Sequence, residues 1–205
     1  MLASATGALF ATLWMWKVRG GKPDPSMMCN GMLAGLVAIT APCAFVNSVS
    51  ACIIGLIAGI VVVEAALFIE RKLKVDDPVG AIAVHGVNGA WGVLSIGIFA
   101  DGTYGDGWNG VPGKVTGLLY GNSTQIVAQT IGVVANFVYI GLISIIVYKL
   151  IDAVVGNRVS AAAEVEGLDL PEMGVPGYVG VAEDAEAEHT RTGGMVPRPV
   201  PAEGR

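Results

Sequence analysis

The sequence is poor in charged residues, and this shortage excludes several classes of protein. Only 14% of the 205 residues are charged, whereas soluble domains carry about 25%. A net charge of −5 without a basic stripe argues against nucleic-acid binding. The 53% apolar content excludes disorder for most of the chain. The composition therefore predicts an all-α membrane protein embedded in a lipid bilayer.

Cysteines and catalytic motifs are also scarce. Cys29, Cys43 and Cys52 all lie in apolar runs. They do not form the two closely spaced pairs that are typical of a metal site. We interpret them as buried packing residues. The sequence lacks a Walker loop, paired membrane carboxylates and a His/Cys/Asp/Glu cluster of the kind that binds a metal. We therefore expect no enzyme activity, no cofactor and no metal.

Long apolar stretches dominate residues 1–156, which we interpret as a transmembrane domain. A helix needs about 20 mostly apolar residues to cross a bilayer. The first stretch is short and lacks a basic leader, so it is a poor signal peptide; a signal anchor is the alternative. We expect Pro42 to end the second helix, because proline lacks a backbone N–H. The five predicted spans are 1–18, 26–46, 47–69, 78–100 and 125–151.

Basic residues indicate how these spans are oriented. If the five spans alternate, eight cations fall on one side of the membrane, and the other side receives only Lys114, in a loop with Asp101 and Asp106. This is a positive-inside pattern, which predicts an outside N-terminus and a cytoplasmic C-terminus in a cell membrane. The eight cations are Lys17, Arg19, Lys22, Arg71, Lys72, Lys74, Lys149 and Arg158.

The composition changes after the last span. Residues 157–178 carry Gly and Pro turn signals and are predicted to be a partly ordered cytoplasmic tail. Residues 179–205 are acidic and rich in proline, cannot bury a core, and are predicted to be disordered.

His85 is the strongest candidate for chemistry, because it falls near the middle of the fourth span. Ionisable groups inside a bilayer are costly and are functional candidates by default. A neutral imidazole both donates and accepts, so it can relay a proton or hold a polar solute. The alternative is a histidine satisfied by a neighbouring helix, without a transport role.

We also consider Asn88 and Glu64, which are two of the polar residues within the predicted spans. Asn88 lies three residues after His85 and on the same face of a regular helix, so it could line the same cavity or clamp a neighbouring helix. Glu64 lies near the cytoplasmic end of the third span. We interpret it as structural, either reaching the interface or pairing with Lys72.

The fourth span also carries a family resemblance. The run DDPVGAIAVHGVNGAWG, residues 76–92, resembles the signature of the ammonium transporter family, which includes the methylammonium permeases and Rhesus relatives. The segments GKPDPSMMCNGMLAGLVAITAPCAFV, ERKLKVDDP and EVEGLDLPEMGVPGY resemble other family elements in the family's order. The resemblance covers residues 1 to about 178 and is highly specific.

The resemblance implies a fold and a set of site residues. The spans would be helices seven to eleven of an eleven-helix transporter built as an inverted repeat, with the solute path between the repeats. His85 would be the second of two pore histidines, the first lying in a helix that this sequence does not contain. The family assembles as homotrimers. The matching elements of the regulatory tail are Glu166, Gly167, Leu168, Asp169, Gly174 and Tyr178.

The implied function is ammonium transport across the inner membrane, with methylammonium as an analogue. The cation loses a proton outside, ammonia crosses an apolar pore, and the proton moves along the imidazoles. The alternative is a membrane-anchored docking module that does not conduct, whose cytoplasmic tail binds a PII signal-transduction protein. Uptake by cells making only this chain would distinguish the two.

Overall fold

A computed structural model of the chain describes residues 1–103 and 112–175. The chain divides into two units, Met1–Ser144 and Ile145–Arg205. Asp106, Tyr178 and the predicted disordered segment 179–205 lie outside the described residues, so the predictions made for them have no structural counterpart.

The described residues are helical throughout, apart from connecting turns and one isolated antiparallel bridge between Asp101 and Thr116. The all-α prediction is therefore confirmed. Wider π-helical turns extend α1 over Met15–Gly20 and α3 over Ile69–Leu73, precede α4 over Ile82–Val87 and follow α6 over Asp169–Met173. The α-helices are α1 (Leu2–Trp14), α2 (Pro25–Thr40), α3 (Ser48–Phe68), α4 (Asn88–Phe99), α5 (Thr124–Val154) and α6 (Ala161–Glu166).

Three helical segments of the described chain are long and apolar enough to cross a bilayer. They are Ser48–Leu73, Ile82–Phe99 and Thr124–Val154. The helix Pro25–Thr40 is apolar but shorter. It stops before the predicted end of its span because Pro42 follows, and proline cannot continue the hydrogen-bond ladder.

Local signals fix where α2 and α3 begin. The Asp24 carboxylate accepts hydrogen bonds from the amides of Ser26 (2.8 Å) and Met27 (3.2 Å), and proline occupies the first turn of α2. The Asn47 side chain accepts from the Ser50 amide at 3.0 Å and so caps α3. Its amide group also donates to Asp101, at 3.2 Å, which ties the start of α3 to the end of α4.

Glycine allows α1 to pack closely against both α2 and α3. A Cβ added at Gly31 would meet Ala11 and the backbone of Gly7, and one at Gly59 would also meet the Gly7 backbone. Gly35 and Gly55 similarly lie against the first residues of α1. Gly31 with Gly35 and Gly55 with Gly59 form two GxxxG pairs, and this spacing is typical of close helix contacts. The buried core between these helices is made of small and branched residues, among them Ala34, Ala38, Ile54, Ala58 and Val62.

The cysteines lie outside this core. Cys29 and Cys43 are exposed and Cys52 is intermediate. Our interpretation of all three as buried packing residues is wrong for the chain as it stands. Apolar sequence surroundings indicate a membrane helix, but they do not say which of its faces contacts protein.

The second unit has local contacts of its own. Asn157 donates from its side-chain amide to the Tyr148 carbonyl at 2.9 Å, near the end of α5. The Ser160 hydroxyl accepts from the Ala163 amide and caps α6. Arg158 forms an ion pair with Glu164 at 2.6 Å.

Candidate functional site

A cleft of about 540 Å³ lies between the helical segment that carries His85 and the first part of α5. All of its lining residues belong to the first unit. Most of them are glycines or apolar residues, and the polar exceptions are His85 and Asn136. The lining residues are His85, Gly86, Gly89, Ala90, Val93, Gly132, Val133, Asn136, Phe137, Ile140 and Gly141.

His85 lies within the π-helical turn Ile82–Val87, and its side chain is exposed at the cleft. Gly86 and Gly89, which line the cleft beside it, have no side chains that would cover the imidazole. The imidazole therefore presents a group that can donate and accept on an otherwise mostly apolar surface. This is the arrangement that a proton relay or a polar solute site requires.

Asn88 does not line this cleft. Its side chain is fully buried, and its amide nitrogen donates to the Ala83 carbonyl at 2.9 Å. Its buried Oδ1 has no hydrogen-bond partner among the described residues. The structure therefore places His85 and Asn88 on different faces, although a regular helix would put them on one.

The π-helical turn gives the physical reason. In a regular α-helix, residues three apart are separated by about 60° around the axis. A π turn holds more residues and rotates less at each, so the separation between residues 85 and 88 increases. Nothing in the periodicity of the sequence indicates this wider turn.

Asn136 is a site residue that the sequence analysis missed. It lies within α5, exposed on the opposite wall of the cleft from His85. The signal was present in the sequence, because an amide in the middle of the predicted fifth span is itself unusual among apolar residues.

Glu64 connects α3 with the end of the first helix. Its carboxylate accepts from Trp14 Nε1 at 2.5 Å and from Arg19 Nε at 2.7 Å, with a second bond from the Arg19 guanidinium. The structural interpretation of Glu64 agrees with these contacts. Its ion-pair partner, however, is Arg19 rather than the Lys72 that we expected, because Arg19 lies on the π-helical extension of α1.

The described tail residues form one short, tightly turned segment. Glu166 ends α6, and Asp169 begins the π-helical turn that runs to Met173. Gly167 and Gly174 have positive φ angles of 100° and 70°, which residues with a Cβ rarely adopt. Leu168 lies between them with 41% of its surface exposed. Tyr178 lies beyond the described part of the chain.

The described residues contain no group of three His, Cys, Asp or Glu side chains that could hold a metal. The chemical groups that the cleft offers are the imidazole of His85 and the amide of Asn136.

Known proteins resemble this chain over most of its length. Ammonium transporter Amt2 of Archaeoglobus fulgidus is 45% identical over 177 residues, which are 86% of this chain and 37% of that protein. The ammonium transporter of Aquifex aeolicus is 36% identical over 80% of this chain and 37% of its own length.

Solved structures of two Amt and Mep proteins have a similar fold. A structure titled "Sensor Amt Protein" has a TM-score of 0.70 and 36% identity, covering 83% of this chain and 40% of its own. The crystal structure of Saccharomyces cerevisiae Mep2 has a TM-score of 0.70 and 27% identity, covering 78% of this chain and 36% of its own.

The chain thus spans well under half of the length of these relatives. Most of this chain, residues 1–178, fits the model of the Ammonium Transporter Family. Members of this family are channels or transporters, not enzymes. The chain belongs to the Ammonium Transporter Family and is a multi-pass helical membrane protein.

Proposed function

We propose that this chain forms the second half of an ammonium-conducting pore, with His85 as its pore histidine. The observation that carries the proposal is the exposed imidazole of His85 on a cleft made mostly of glycine and apolar side chains. The similarity to ammonium transporters over 86% of the chain supports ammonium, or its analogue methylammonium, as the solute. The other wall of the pore would come from the part of the relatives that this chain does not match.

The proposed mechanism separates the proton from the ammonia. A bare cation loses its hydration in a narrow apolar passage at a high cost, whereas neutral ammonia loses much less. Ammonium therefore gives up a proton before it enters the pore. The imidazole of His85 accepts a proton at one ring nitrogen and releases one from the other, so charge can move beside the ammonia.

The proposed membrane topology has five spans, as the apolar stretches of the sequence predict. Five spans, corresponding to helices seven to eleven of the family fold, would place the N-terminus outside and the C-terminus in the cytoplasm of an inner-membrane homotrimer. The basic residues on the loops between the spans support this orientation.

The test measures charge movement in a complete pore. This chain is produced together with a segment that supplies the first six helices of a relative, and the ammonium-evoked current is recorded in reconstituted membranes. We expect His85→Ala to lower the current at least tenfold, since general acid–base transfer contributes about 10²–10⁴-fold where it operates. The matched control is His189→Ala, at the other histidine of the chain. A normal current in His85→Ala would make His85 a structural residue.

A second candidate is the docking module, in which the helices only anchor a tail that binds a PII-type regulator. The compact, exposed turn around Gly167 and Gly174 favours it, as does a structural neighbour whose title calls it a sensor. Cells making this chain alone would then take up no methylammonium but would retain the regulator. Deletion of 157–178 should abolish that retention, and deletion of 179–205 should leave it intact. Equal effects of the two deletions would contradict the docking module.

A further inference from the structure

The turn that carries His85 is closed by one residue, Asn88. The backbone N–H of Asn88 donates to the Ala83 carbonyl, five residues earlier, which is the hydrogen bond that defines a π-helical turn. The side-chain amide of Asn88 donates to the same carbonyl at 2.9 Å. Ala83 therefore receives two hydrogen bonds from Asn88, and His85 lies inside the loop that they close.

The location of these bonds matters because both residues are buried. Ala83 and Asn88 have no exposed surface, so water does not compete for the Ala83 carbonyl. The turn begins at a fixed point as well, since the Asp77 carboxylate accepts from the Ile82 amide at 3.0 Å. With both ends held, the turn has little freedom to relax into a regular α-helix.

A regular helix would change where His85 points. Without the wider turn, residue 85 would lie about 60° around the axis from residue 88, and Asn88 faces the buried interior. His85 would therefore rotate away from the cleft and toward the packed side of the helix. The π turn is what separates an exposed imidazole from a buried amide only three residues away.

We propose that Asn88 is the positioning residue for His85, its buried amide holding the π-helical turn that directs the imidazole into the cleft. The proposal rests on the proposed function, in which His85 is the pore histidine. Asn88 itself does not contact the solute; it acts through the backbone of Ala83.

The test follows the chemical accessibility of His85, which does not require conduction. The full chain in detergent micelles is treated with diethyl pyrocarbonate at neutral pH, and modification of the His85 peptide is followed by mass spectrometry. The ¹⁵N spectrum of the imidazole is recorded in parallel. Asn88→Leu keeps the size of the side chain but removes its donor. We expect it to slow modification of His85 several-fold and to change the ¹⁵N chemical shifts of the His85 ring nitrogens. Asn88→Ala serves as a smaller variant that packs without strain and should act in the same direction.

The matched control is Ser95→Ala, which removes a different buried side-chain-to-carbonyl bond of the same helix, from the Ser95 hydroxyl to the Gly92 carbonyl at 2.7 Å. It should leave the reactivity of His85 unchanged. Modification of His85 at the wild-type rate or faster in both Asn88 variants would overturn the proposal, as would an equal fall in Ser95→Ala. Because no current is measured, the result stands apart from the test of the proposed function.

Discussion

Two long apolar helices of this chain, α3 and α5, differ in how much of their surface is buried. Residues of α3 such as Ile54, Ala58 and Val62 are fully buried against neighbouring helices. Over its whole length, all of it described, α5 has no buried residue. Both are long and apolar enough to cross a membrane, so hydropathy does not distinguish a packed helix from an open one.

The glycines of the two helices do distinguish them. Gly55 and Gly59 of α3 lie directly against the backbone of α1, whereas Gly132 and Gly141 of α5 have open space where a Cβ would be. The open pair lies along the same cleft as His85. Small residues allow close helix approach, so these two positions of α5 leave room for a helix contact of the kind that α3 already makes.

The largest expected loss of stability comes from adding a side chain at Gly59, which lies against the backbone of α1. Gly59→Leu would place a side chain on the Gly7 backbone and force α1 and α3 apart, which should destabilise the folded chain by about 3 kcal/mol. The matched control, Gly141→Leu, adds the same side chain at a position where no neighbouring atom of the described residues lies within 4 Å of the added Cβ. Thermal unfolding in detergent micelles measures both. Equal losses in the two variants would remove the distinction between α3 and α5.

A smaller effect is expected at the start of α3. Asn47→Ala removes the cap on the Ser50 amide and the bond to Asp101, at a cost of about 1–2 kcal/mol in unfolding free energy. Asn47→Ser keeps a capping oxygen without the bond to Asp101, so it should retain most of the stability. Amide hydrogen exchange in the first turn of α3 reports the change. Unaltered protection in Asn47→Ala would show that packing alone holds this end.

The ion pair between the first helix and α3 should contribute less. The Arg19 and Glu64 side chains are 43% and 36% exposed, so water screens much of their attraction. Glu64→Gln should therefore cost about 1 kcal/mol, including the weakened bond from Trp14. Glu70→Gln, at an exposed carboxylate on the turn that extends α3, is the control. A loss as large as that of Gly59→Leu would mean that charge rather than packing joins the two helices.

Much of this organisation could be predicted because its causes are local. The end of α2 follows from Pro42, and the close contacts of α1 follow from glycine spacing. The identity of the candidate site also follows from one residue, since an imidazole in an apolar span is unusual.

Other features could not be predicted, because they depend on rotation about a helix axis. A π-helical turn changes which residues share a face, so the sequence spacing of His85 and Asn88 suggested a common surface that the structure does not have. The partner of Glu64 depends in the same way on the π-helical extension that carries Arg19. Periodicity assumes a regular helix and fails where the helix widens.

The smallest expected effect lies beyond α5, where a second Arg–Glu pair joins residues close in sequence. Arg158 donates to Glu164 at 2.6 Å and 2.9 Å. This hydrogen bond, helped by the positive charge, lowers the pKa of Glu164 despite slight desolvation. The pair therefore stabilises the segment from Arg158 to Glu164 at pH values above the pKa of a free glutamate, about 4.3.

That stabilisation should be lost as the pH falls through the lowered pKa of Glu164, because the protonated carboxyl no longer attracts the guanidinium. A ¹³C titration of the Glu164 carboxyl, with amide exchange in α6, follows both events. Arg158→Gln should return the pKa of Glu164 toward its ordinary value. It should also make the protection factors of the α6 amides, that is, exchange relative to the intrinsic rate at each pH, insensitive to pH in this range. Glu164→Gln should leave α1–α3 unfolding unchanged, unlike Glu64→Gln, because its pair joins neighbouring residues instead of separate helices. If Glu164 titrates at the same pH with and without Arg158, the pair adds nothing to the order of the tail.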